Sequence, residues 1–349
     1  MSRKRQHRTI RYAVLGLGSI AQGAVLPAFR RARKNSELSV LVSGDERKRR
    51  ALGRKYRVST VIDYAELSEL YRSGEIDAVY IALPNHLHRD HAVAAARAGI
   101  HVLCEKPMAV TEEECLDMIE AARAGDARLM IAYRLHLDRS NLTAIEQARS
   151  GRLGDVRLFR SAFTMQVPRG NVRLEPIANG GGTLYDIGIY CINAARSLFG
   201  SEPTEVFALS IADTDQRFRQ SDEMTAGILR FPGERLATFI SSFGAADEGS
   251  YEFVGTKGLL RAKNAYYYSR AIAHELTVGG KTLRRRFARR DQFAQELAYF
   301  SDCIQSGREP EPSGHEGLAD VRVIRALYES ARTGAPVRIA PVTSHTGRG

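Results

Sequence analysis

Apolar and polar positions alternate in blocks over the first part of the chain. Short apolar runs predict strands buried on both faces, and the segments between them carry apolar residues at helical spacing. The predicted strands are Ile10–Leu15, Leu38–Val42, Ile76–Leu83, Ile100–Cys104 and Leu129–Ala132. The predicted helices are Ser19–Arg33, Asp45–Tyr56, His86–Ala98 and Thr111–Ala124. This alternation predicts a doubly wound parallel sheet, an α/β domain over residues 1–132.

Beyond residue 132 the pattern changes to longer alternating strands with few helices between them. After one more predicted helix, Asn141–Ser150, the predicted strands are Val156–Val167, Glu205–Ile211, Thr225–Phe231, Leu236–Phe243, Tyr251–Val254, Leu259–Ala262 and Ala271–Val278. Asp291–Gln305 and Glu316–Arg332 are the predicted closing helices. We therefore expect a second, α+β domain over residues 133–349 with a large, mostly antiparallel open sheet.

A glycine-rich segment, Gly16 to Ala21, lies between the first predicted strand and the first predicted helix. Gly16 permits a tight turn, Gly18 allows a pyrophosphate to approach the backbone, and Ala21 is small enough for helix–strand packing. The helix N-terminus then offers unpaired N–H groups to phosphates. The alternative is an ordinary tight turn, but the strand–turn–helix context favours a dinucleotide-binding Rossmann domain.

The residues after the second strand indicate which dinucleotide is bound. An NAD site places an acidic residue there for the ribose 2′-hydroxyl, whereas this chain has Ser43 and Gly44, with Arg47, Lys48 and Arg49 close behind. A hydroxyl and cations suit a 2′-phosphate, so we predict NADP rather than NAD. Asp45 and Glu46 would also fit an NAD site, unless they only stabilise the N-terminus of the next helix.

Two segments carry candidate catalytic groups. Lys106, in Glu105-Lys106-Pro107, follows a strand at the carboxyl edge of the sheet, where doubly wound folds bind ligands; the alternative is a solvated loop lysine. After Gly180-Gly181-Gly182, Asp186 and Tyr190 lie four residues apart on one predicted helix face, with Asn193 following, opposite a buried stripe. The buried stripe is Leu184, Ile187, Cys191, Ala195 and Leu198.

A phenol near a carboxylate and a lysine is suited to proton transfer. Alternatively, Asp186 caps the helix dipole and Tyr190 is a core tyrosine. Tyr133-Arg134-Leu135-His136 either contacts an oxygen-rich substrate or packs between domains. His88 and His91 have metal-ligand spacing, but no third ligand follows, and we predict no metal.

Composition excludes several classes of function. The chain has 349 residues and a net charge of +11, which is compatible with nucleic acid, anionic membranes or phosphorylated small molecules. It has two basic clusters: Arg3, Lys4, Arg5 and Arg8 at the N-terminus, and Arg284–Arg286 with Arg289 and Arg290 between two predicted elements. Neither cluster is interleaved with aromatic residues, so we predict no nucleic-acid partner. No apolar run is long enough to span a membrane. Four scattered cysteines and no recognisable leader predict the cytoplasm.

In this order, the motifs closely resemble the glucose–fructose oxidoreductase / inositol dehydrogenase / rhizopine catabolism family (Gfo/Idh/MocA), and most of all its glucose–fructose oxidoreductase branch. The resemblance spans about residues 12–337. Its carriers are Gly16–Ala21, Val42-Ser43-Gly44, Ile76–Ile81, Leu83-Pro84-Asn85, Cys104–Ala109, Leu129–Arg134, Gly181-Gly182, Asp186–Tyr190 and Ala326–Gly334.

The resemblance implies that the first domain binds the nicotinamide cofactor and that the second forms the substrate wall and a homodimer or homotetramer face. It implies that Lys106 and Tyr190 handle the proton and Asp186 holds the sugar. The predicted cofactor site is Gly16, Gly18, Ser19, Ile20, Ser43, Gly44, Lys48, Leu83, Pro84, Asn85, His88, Glu105, Lys106 and Arg134. The predicted substrate site is Lys106, Arg134, Arg173, Asp186 and Tyr190.

We therefore predict an NADP-dependent oxidoreductase of a sugar or polyol carbinol, with C1 of an aldose as one candidate carbon. Where the branch has Trp-Arg-Leu, this chain has Val172-Arg173-Leu174 and no tryptophan at all, which puts glucose and fructose in doubt. Arg30, Arg169 and Arg173 leave room for a more acidic or phosphorylated sugar. The alternatives are a glycosidase with a retained nicotinamide and a non-catalytic NADP-binding sensor.

Overall fold

The structure is a computed structural model that describes residues 8–212, 215–340 and 342. Arg3, Lys4 and Arg5 of the basic N-terminal cluster lie outside the described residues. The chain divides into two compact units. The first comprises Met1–Ala109, Glu113–Arg134 and Asp291–Gly317, and the second comprises Val110–Glu112, Leu135–Arg290 and Leu318–Gly349. The domain boundary expected after residue 132 stays a prediction.

The first unit contains a six-stranded sheet in which every neighbouring pair is parallel. Its order, β3-β2-β1-β4-β5-β6, is that of a doubly wound sheet. The predicted Rossmann fold is confirmed. The strands are β1 (Ile10–Leu15), β2 (Ser36–Val42), β3 (Thr60–Ile62), β4 (Ala78–Ile81), β5 (His101–Glu105) and β6 (Leu129–Ala132).

Helices cover this sheet and bury its apolar side chains. They are α1 (Leu26–Ala32), α2 (Glu46–Tyr56), α3 (Leu67–Ser73), α4 (His88–Arg97), α5 (Glu112–Ala124) and, from much later in the chain, α8 (Gln292–Ser306). Phe293, Leu297 and Phe300 of α8 belong to the same buried apolar cluster as Tyr12 and Tyr80 of the sheet. The Tyr12 hydroxyl also hydrogen-bonds Ser301 at 2.8 Å. A late helix thus completes the core of the first unit.

The second unit is built on a nine-stranded sheet of order β14-β13-β12-β11-β7-β10-β9-β8-β15. Only β7 and β10 pair in parallel, so the predicted mostly antiparallel sheet is confirmed. The strands are β7 (Val156–Thr164), β8 (Glu205–Ile211), β9 (Met224–Phe231), β10 (Arg235–Ser242), β11 (Glu248–Gly255), β12 (Gly258–Lys263), β13 (Ala273–Val278), β14 (Lys281–Arg286) and β15 (Val337–Arg338). The helices are α6 (Arg139–Arg149), α7 (Ile189–Phe199) and most of α9 (Gly314–Thr333).

The second basic cluster is only partly where the sequence predicts it. Arg289 and Arg290 lie between β14 and α8 as expected, but Arg284–Arg286 form the end of β14, an edge strand whose six residues are all exposed. A strand with both faces in solvent has no period-two apolar pattern, so its sequence lacks the usual strand signal. Cations on an edge strand also discourage pairing with another chain. The basic cluster therefore has a structural explanation in this fold.

Candidate active site

The glycine-rich turn after β1 has the geometry that the motif predicts. Gly16 adopts φ +90°, and a Cβ atom there would lie 2.4 Å from the carbonyl oxygen of Ala82. Only glycine fits such a position. A Cβ on Gly18 would meet nothing within 4 Å, so the backbone there borders open space. Ala21 is fully buried and begins a π-helical turn, Ala21–Val25, that leads into α1. The turn therefore fits a pyrophosphate.

Asp45, in the loop after β2, has a structural role. Asp45 is the N-cap of α2 and accepts a hydrogen bond from the Lys48 backbone N–H at 2.9 Å, which lowers the pKa of its carboxyl group. Its second oxygen lies 3.6 Å from the Lys48 ammonium. Ser43 is buried, and its backbone oxygen accepts from Arg49 at 2.6 Å. The cap explains Asp45 without a ribose contact.

His88 connects two loops at the carboxyl edge of the sheet. Its ring is fully buried, with Nδ1 at 2.9 Å from the oxygen of Pro107 and Nε2 at 2.9 Å from the oxygen of Leu83. Burial lowers its pKa. His91 instead packs against the Tyr64 ring. Within the described residues, no cluster of three or more histidine, cysteine or acidic side chains could hold a metal. A cofactor contact by His88 stays a prediction.

Lys106 follows Glu105, the last residue of β5, and both are partly buried. The Tyr80 hydroxyl donates to Glu105 Oε1 at 2.8 Å. Burial raises the pKa of Glu105, while the positive charges of Lys106 and Arg134 oppose that shift. Arg134 is almost fully buried and donates to Gln292 Oε1 at 2.6 Å. This edge of the sheet therefore combines two cations with one partnered carboxyl group.

The charges of Lys106 and Arg134 both act on Glu105 at this edge of the sheet. The other predicted cofactor residues lie around the same edge: Ser19 is exposed, and Ile20, Leu83, Pro84 and Asn85 are partly buried, while Gly44 is exposed after β2. Their contacts with a cofactor stay predictions.

In the second unit, Asp186 and Arg173 form an ion pair through Arg173 Nε and Asp186 Oδ2. The Arg173 side chain is 40 % exposed and the Asp186 side chain is 19 % exposed, so solvent can reach the pair. The charge of Asp186 raises the pKa of Arg173. Because Asp186 already neutralises Arg173, that arginine does not support the more acidic sugar considered above.

Asp186 lies on a π-helical turn, Leu184–Gly188, and Tyr190 lies just beyond it in the first turn of α7. π-Helical turns occur often at functional sites. The Tyr190 ring is partly buried and packs edge-on against Phe163 at 5.6 Å and near Tyr266 at 5.9 Å. The predicted buried stripe is confirmed, since all five of its residues are buried: Leu184, Ile187, Cys191, Ala195 and Leu198.

The third residue of the polar stripe, Asn193, serves the fold. It is buried, donates to Asp320 at 2.8 Å and hydrogen-bonds His136 at 3.1 Å. Arg196, one turn later, pairs with Asp320 at 2.6 Å, and both side chains are buried. These contacts fix α7, and with it the position of Tyr190.

Sequence reasoning missed the aromatic residues that hold Tyr190. Tyr266 is fully buried, and its hydroxyl hydrogen-bonds Ser161 at 2.6 Å. Its ring stacks on Phe163 at 5.1 Å. Three consecutive tyrosines at 266–268 in a chain without tryptophan were the available signal.

The four cysteines are buried and none forms a disulfide. No helix in the described part of the chain has the length and apolar character to cross a membrane.

Family models match both units of the chain. Residues 10–133 match an oxidoreductase family with an NAD-binding Rossmann fold, and residues 142–261 match the GFO/IDH/MocA C-terminal domain. The two matches span more than half of the chain. This protein therefore belongs to the GFO/IDH/MocA family of oxidoreductases, as its motifs predicted.

Individual relatives match over nearly the whole length. A D-xylose 1-dehydrogenase [NADP(+)] of Haloarcula marismortui is 32 % identical over 337 residues, covering 95 % of this chain and 93 % of the relative. A myo-inositol 2-dehydrogenase of Thermotoga maritima is 26 % identical over 339 residues, covering 95 % and 99 %. The crystal structure of an aldose-aldose oxidoreductase from Caulobacter crescentus, complexed with glycerol, has a TM-score of 0.91 at 36 % identity and covers 95 % and 100 %.

Proposed function

We propose that this oxidoreductase transfers a hydride between a carbinol carbon of a sugar or polyol and the nicotinamide of NADP, with C1 of an aldose as the first candidate. The observation that carries the proposal is the Arg173–Asp186 pair one helical turn before Tyr190. We assign the two side chains as an acceptor and a donor for sugar hydroxyls beside the Tyr190 phenol. The xylose dehydrogenase and aldose oxidoreductase relatives support the substrate class.

The residues of the first unit fit a dinucleotide. Gly16 and Gly18 bring the turn backbone next to open space, and helix N–H groups follow it. Asp45 is engaged as a helix cap, which leaves Ser43 and Lys48 as the groups we assign to the 2′-phosphate. The NADP-dependent xylose dehydrogenase supports this choice. When bound, the nicotinamide supplies the hydride acceptor.

The side chains of this protein manage the proton and the orientation of the substrate. Tyr190 accepts the proton of the hydroxyl being oxidised. Lys106 stabilises the phenolate by its positive charge, and Asp186 accepts a hydrogen bond that orients the hydroxyl. Arg173 and Arg134 complete the proposed substrate contacts. In the reverse direction, Tyr190 returns the proton to the carbonyl oxygen.

The proposal is tested by titrating aldoses into concentrated, as-purified protein while following the absorbance of reduced nicotinamide. With oxidised cofactor retained, we expect a rise that stops near one equivalent per subunit and depends on the sugar. If the protein is purified empty, the rise should appear once NADP is added. No rise with any aldose or polyol under either condition would contradict the proposal. Cleavage of a chromogenic glycoside would then identify the glycosidase alternative.

A further inference from the structure

A carboxyl group is buried in the first unit without a partner. Glu296 lies near the middle of α8 and is completely inaccessible to solvent. Neither of its oxygens has a hydrogen-bond partner among the described residues. Phe293 and Leu297, its neighbours on the helix, belong to the apolar core. An ionised carboxylate with no donor is very unfavourable in such surroundings.

The charged groups around Glu296 come from several elements. Glu105, at the end of β5, acts on it as a like charge, and so does Asp291, the N-cap of α8. Arg134, beyond β6, opposes them. Burial and then the charges of both glutamates raise the pKa of the Tyr80 hydroxyl of β4, which donates a hydrogen bond to Glu105.

The two glutamates are therefore unequal. Glu105 receives the Tyr80 hydrogen bond and lies beside the charges of Lys106 and Arg134. Glu296 receives no hydrogen bond from any described residue. Two interacting buried carboxyl groups do not both ionise readily, and the proton stays on the group with fewer donors.

We propose that Glu296 and Glu105 together hold one proton at neutral pH, that it resides on Glu296, and that Glu105 is therefore the ionised carboxylate beside Lys106. Glu296 is then a positioning residue that acts through the charge on Glu105. Its effect on turnover rests on the catalytic role of Lys106 given under the proposed function; its protonation does not.

The direction of the Glu296 shift agrees with this assignment. Burial raises its pKa well above the ordinary value, the charge of Glu105 raises it further, and Arg134 only partly offsets both. With Glu296 neutral, Glu105, Lys106 and Arg134 carry a net charge of about +1, which favours a developing alkoxide or phenolate. Ionising Glu296 would cancel that charge.

The protonation is tested by infrared difference spectroscopy on the protein at neutral pH. A protonated carboxylic acid has a carbonyl stretch above the amide band, whereas a carboxylate does not. We expect this band in the wild type, its loss in Glu296→Gln, and its retention in Glu120→Gln, which removes an exposed carboxylate paired with Arg123. Absence of the band from the folded wild type, or its survival in folded Glu296→Gln, would overturn the proposal.

The catalytic consequence is tested by the pH dependence of kcat. If the pH is raised until Glu296 ionises, we expect turnover of the wild type to fall about tenfold relative to its neutral value, the effect of about one pKa unit at a neighbouring group. Glu296→Gln should lose this alkaline fall and Glu120→Gln should keep it. An identical alkaline fall in the wild type and Glu296→Gln would overturn the link to Lys106.

Failure of this inference and failure of the proposed function give different results. If Lys106→Ala turns over as fast as the wild type while the infrared band is present, Lys106 is not catalytic but Glu296 is still the protonated partner. If Lys106→Ala is slow and the band is missing, the catalytic role stands and the shared proton does not exist.

Discussion

The proposed proton transfer requires the hydroxyl of Tyr190. Tyr190→Phe removes that hydroxyl and keeps the ring that packs against Phe163 and Tyr266. We therefore expect the variant to fold and bind cofactor normally while turnover falls about 10²–10⁴-fold. Steady-state kinetics and cofactor titration measure the two effects separately.

Tyr71→Phe is the matched control, because Tyr71 of α3 is half-buried and its buried hydroxyl has no partner among the described residues. It should keep its full turnover. Wild-type turnover in Tyr190→Phe, with cofactor bound, would contradict the assignment of the proton acceptor.

Glu296 should also make stability depend on pH. Its pKa in the folded state is raised above the ordinary value of 4.5, so above that pH the folded protein holds a proton that the unfolded chain has released. Folding stability from this group is therefore present at low pH and decreases as the pH rises toward the folded-state pKa.

Glu296→Gln has no such proton. We expect the free energy of unfolding of Glu296→Gln to rise relative to that of the wild type by about 1.4 kcal/mol per pH unit above pH 4.5. This rise should end at the folded-state pKa of Glu296. Urea unfolding at a series of pH values measures this difference. A constant difference across the series would mean that Glu296 does not titrate abnormally.

At the scale of elements, the turn between β1 and α1 depends on one backbone conformation. In Gly16→Ala, the new methyl group would meet the carbonyl of Ala82 at 2.4 Å with φ at +90°. We expect the cofactor affinity to fall and the protein to lose about 1–3 kcal/mol of stability.

Gly23→Ala is the control for this turn, since a Cβ there meets nothing within 4 Å. It lies in the helical turn that follows, where alanine is favoured over glycine by about 0.5–1 kcal/mol. Calorimetric cofactor titration and thermal unfolding distinguish the two. Equal behaviour of both variants would remove the special role of Gly16.

The loop between β2 and α2 should decide between NADP and NAD. Lys48→Ala removes a cation that we assign to the 2′-phosphate, so KM for NADP should rise about 10–100-fold while KM for NAD changes little. Arg50→Ala is the control: Arg50 lies on the same helix and pairs with Glu46 at 2.5 Å, but it is not among the residues assigned to the cofactor, so both values should stay unchanged. A parallel rise of KM for both cofactors would place Lys48 elsewhere in the site.

The elements that the sequence predicted best are strands buried on both faces. β1 and β6 have the predicted bounds, because strands buried on both faces are almost continuously apolar; Arg11 of β1 is the one charged residue in the two strands. The π-helical turn at Leu184–Gly188 could not be predicted, since no apolar spacing distinguishes it from an ordinary helix start. β3 and α3 were missed because both are short and β3 has no fully buried residue.

The sequence indicated candidate site residues but not the groups that interact with them. Motifs single out Lys106, Asp186 and Tyr190 as candidates, since each follows a recognisable structural signal. The pairing of Asp186 with Arg173, and the electrostatic effect of Glu105 on Glu296, depend on contacts and charges from other parts of the sequence. Such contacts leave no periodic trace in the sequence.

At the scale of the whole molecule, the large sheet leaves apolar side chains in solvent. On β8, β9 and β10, Leu209, Ile228 and Ile240 are 61 %, 44 % and 44 % exposed. Their register brings them onto one face of the sheet, where Leu209 and Ile240 both pair with Ala226. A contiguous exposed apolar face favours burial against another molecule. We propose that a second copy of this chain covers it, giving a homodimer or homotetramer.

Substituting Glu for both Ile228 and Ile240 should shift the protein to monomers, because it places charges in the proposed interface. Light scattering coupled to size-exclusion chromatography measures the mass. Leu283→Glu is the control, since Leu283 is 61 % exposed at the β14 end of the same sheet. A monomeric wild type, or an unchanged mass in the double variant, would contradict this interface.

The return of α8 to the first unit has a consequence for how the protein is made. The ribosome finishes the sixth parallel strand at Ala132, but the helix that contributes Phe293, Leu297 and Phe300 to that core emerges more than 150 residues later. Until then the nascent sheet lacks part of its apolar cover. The first unit therefore cannot complete its core during synthesis until α8 has emerged. Expression of residues 1–132 alone should yield aggregation-prone protein.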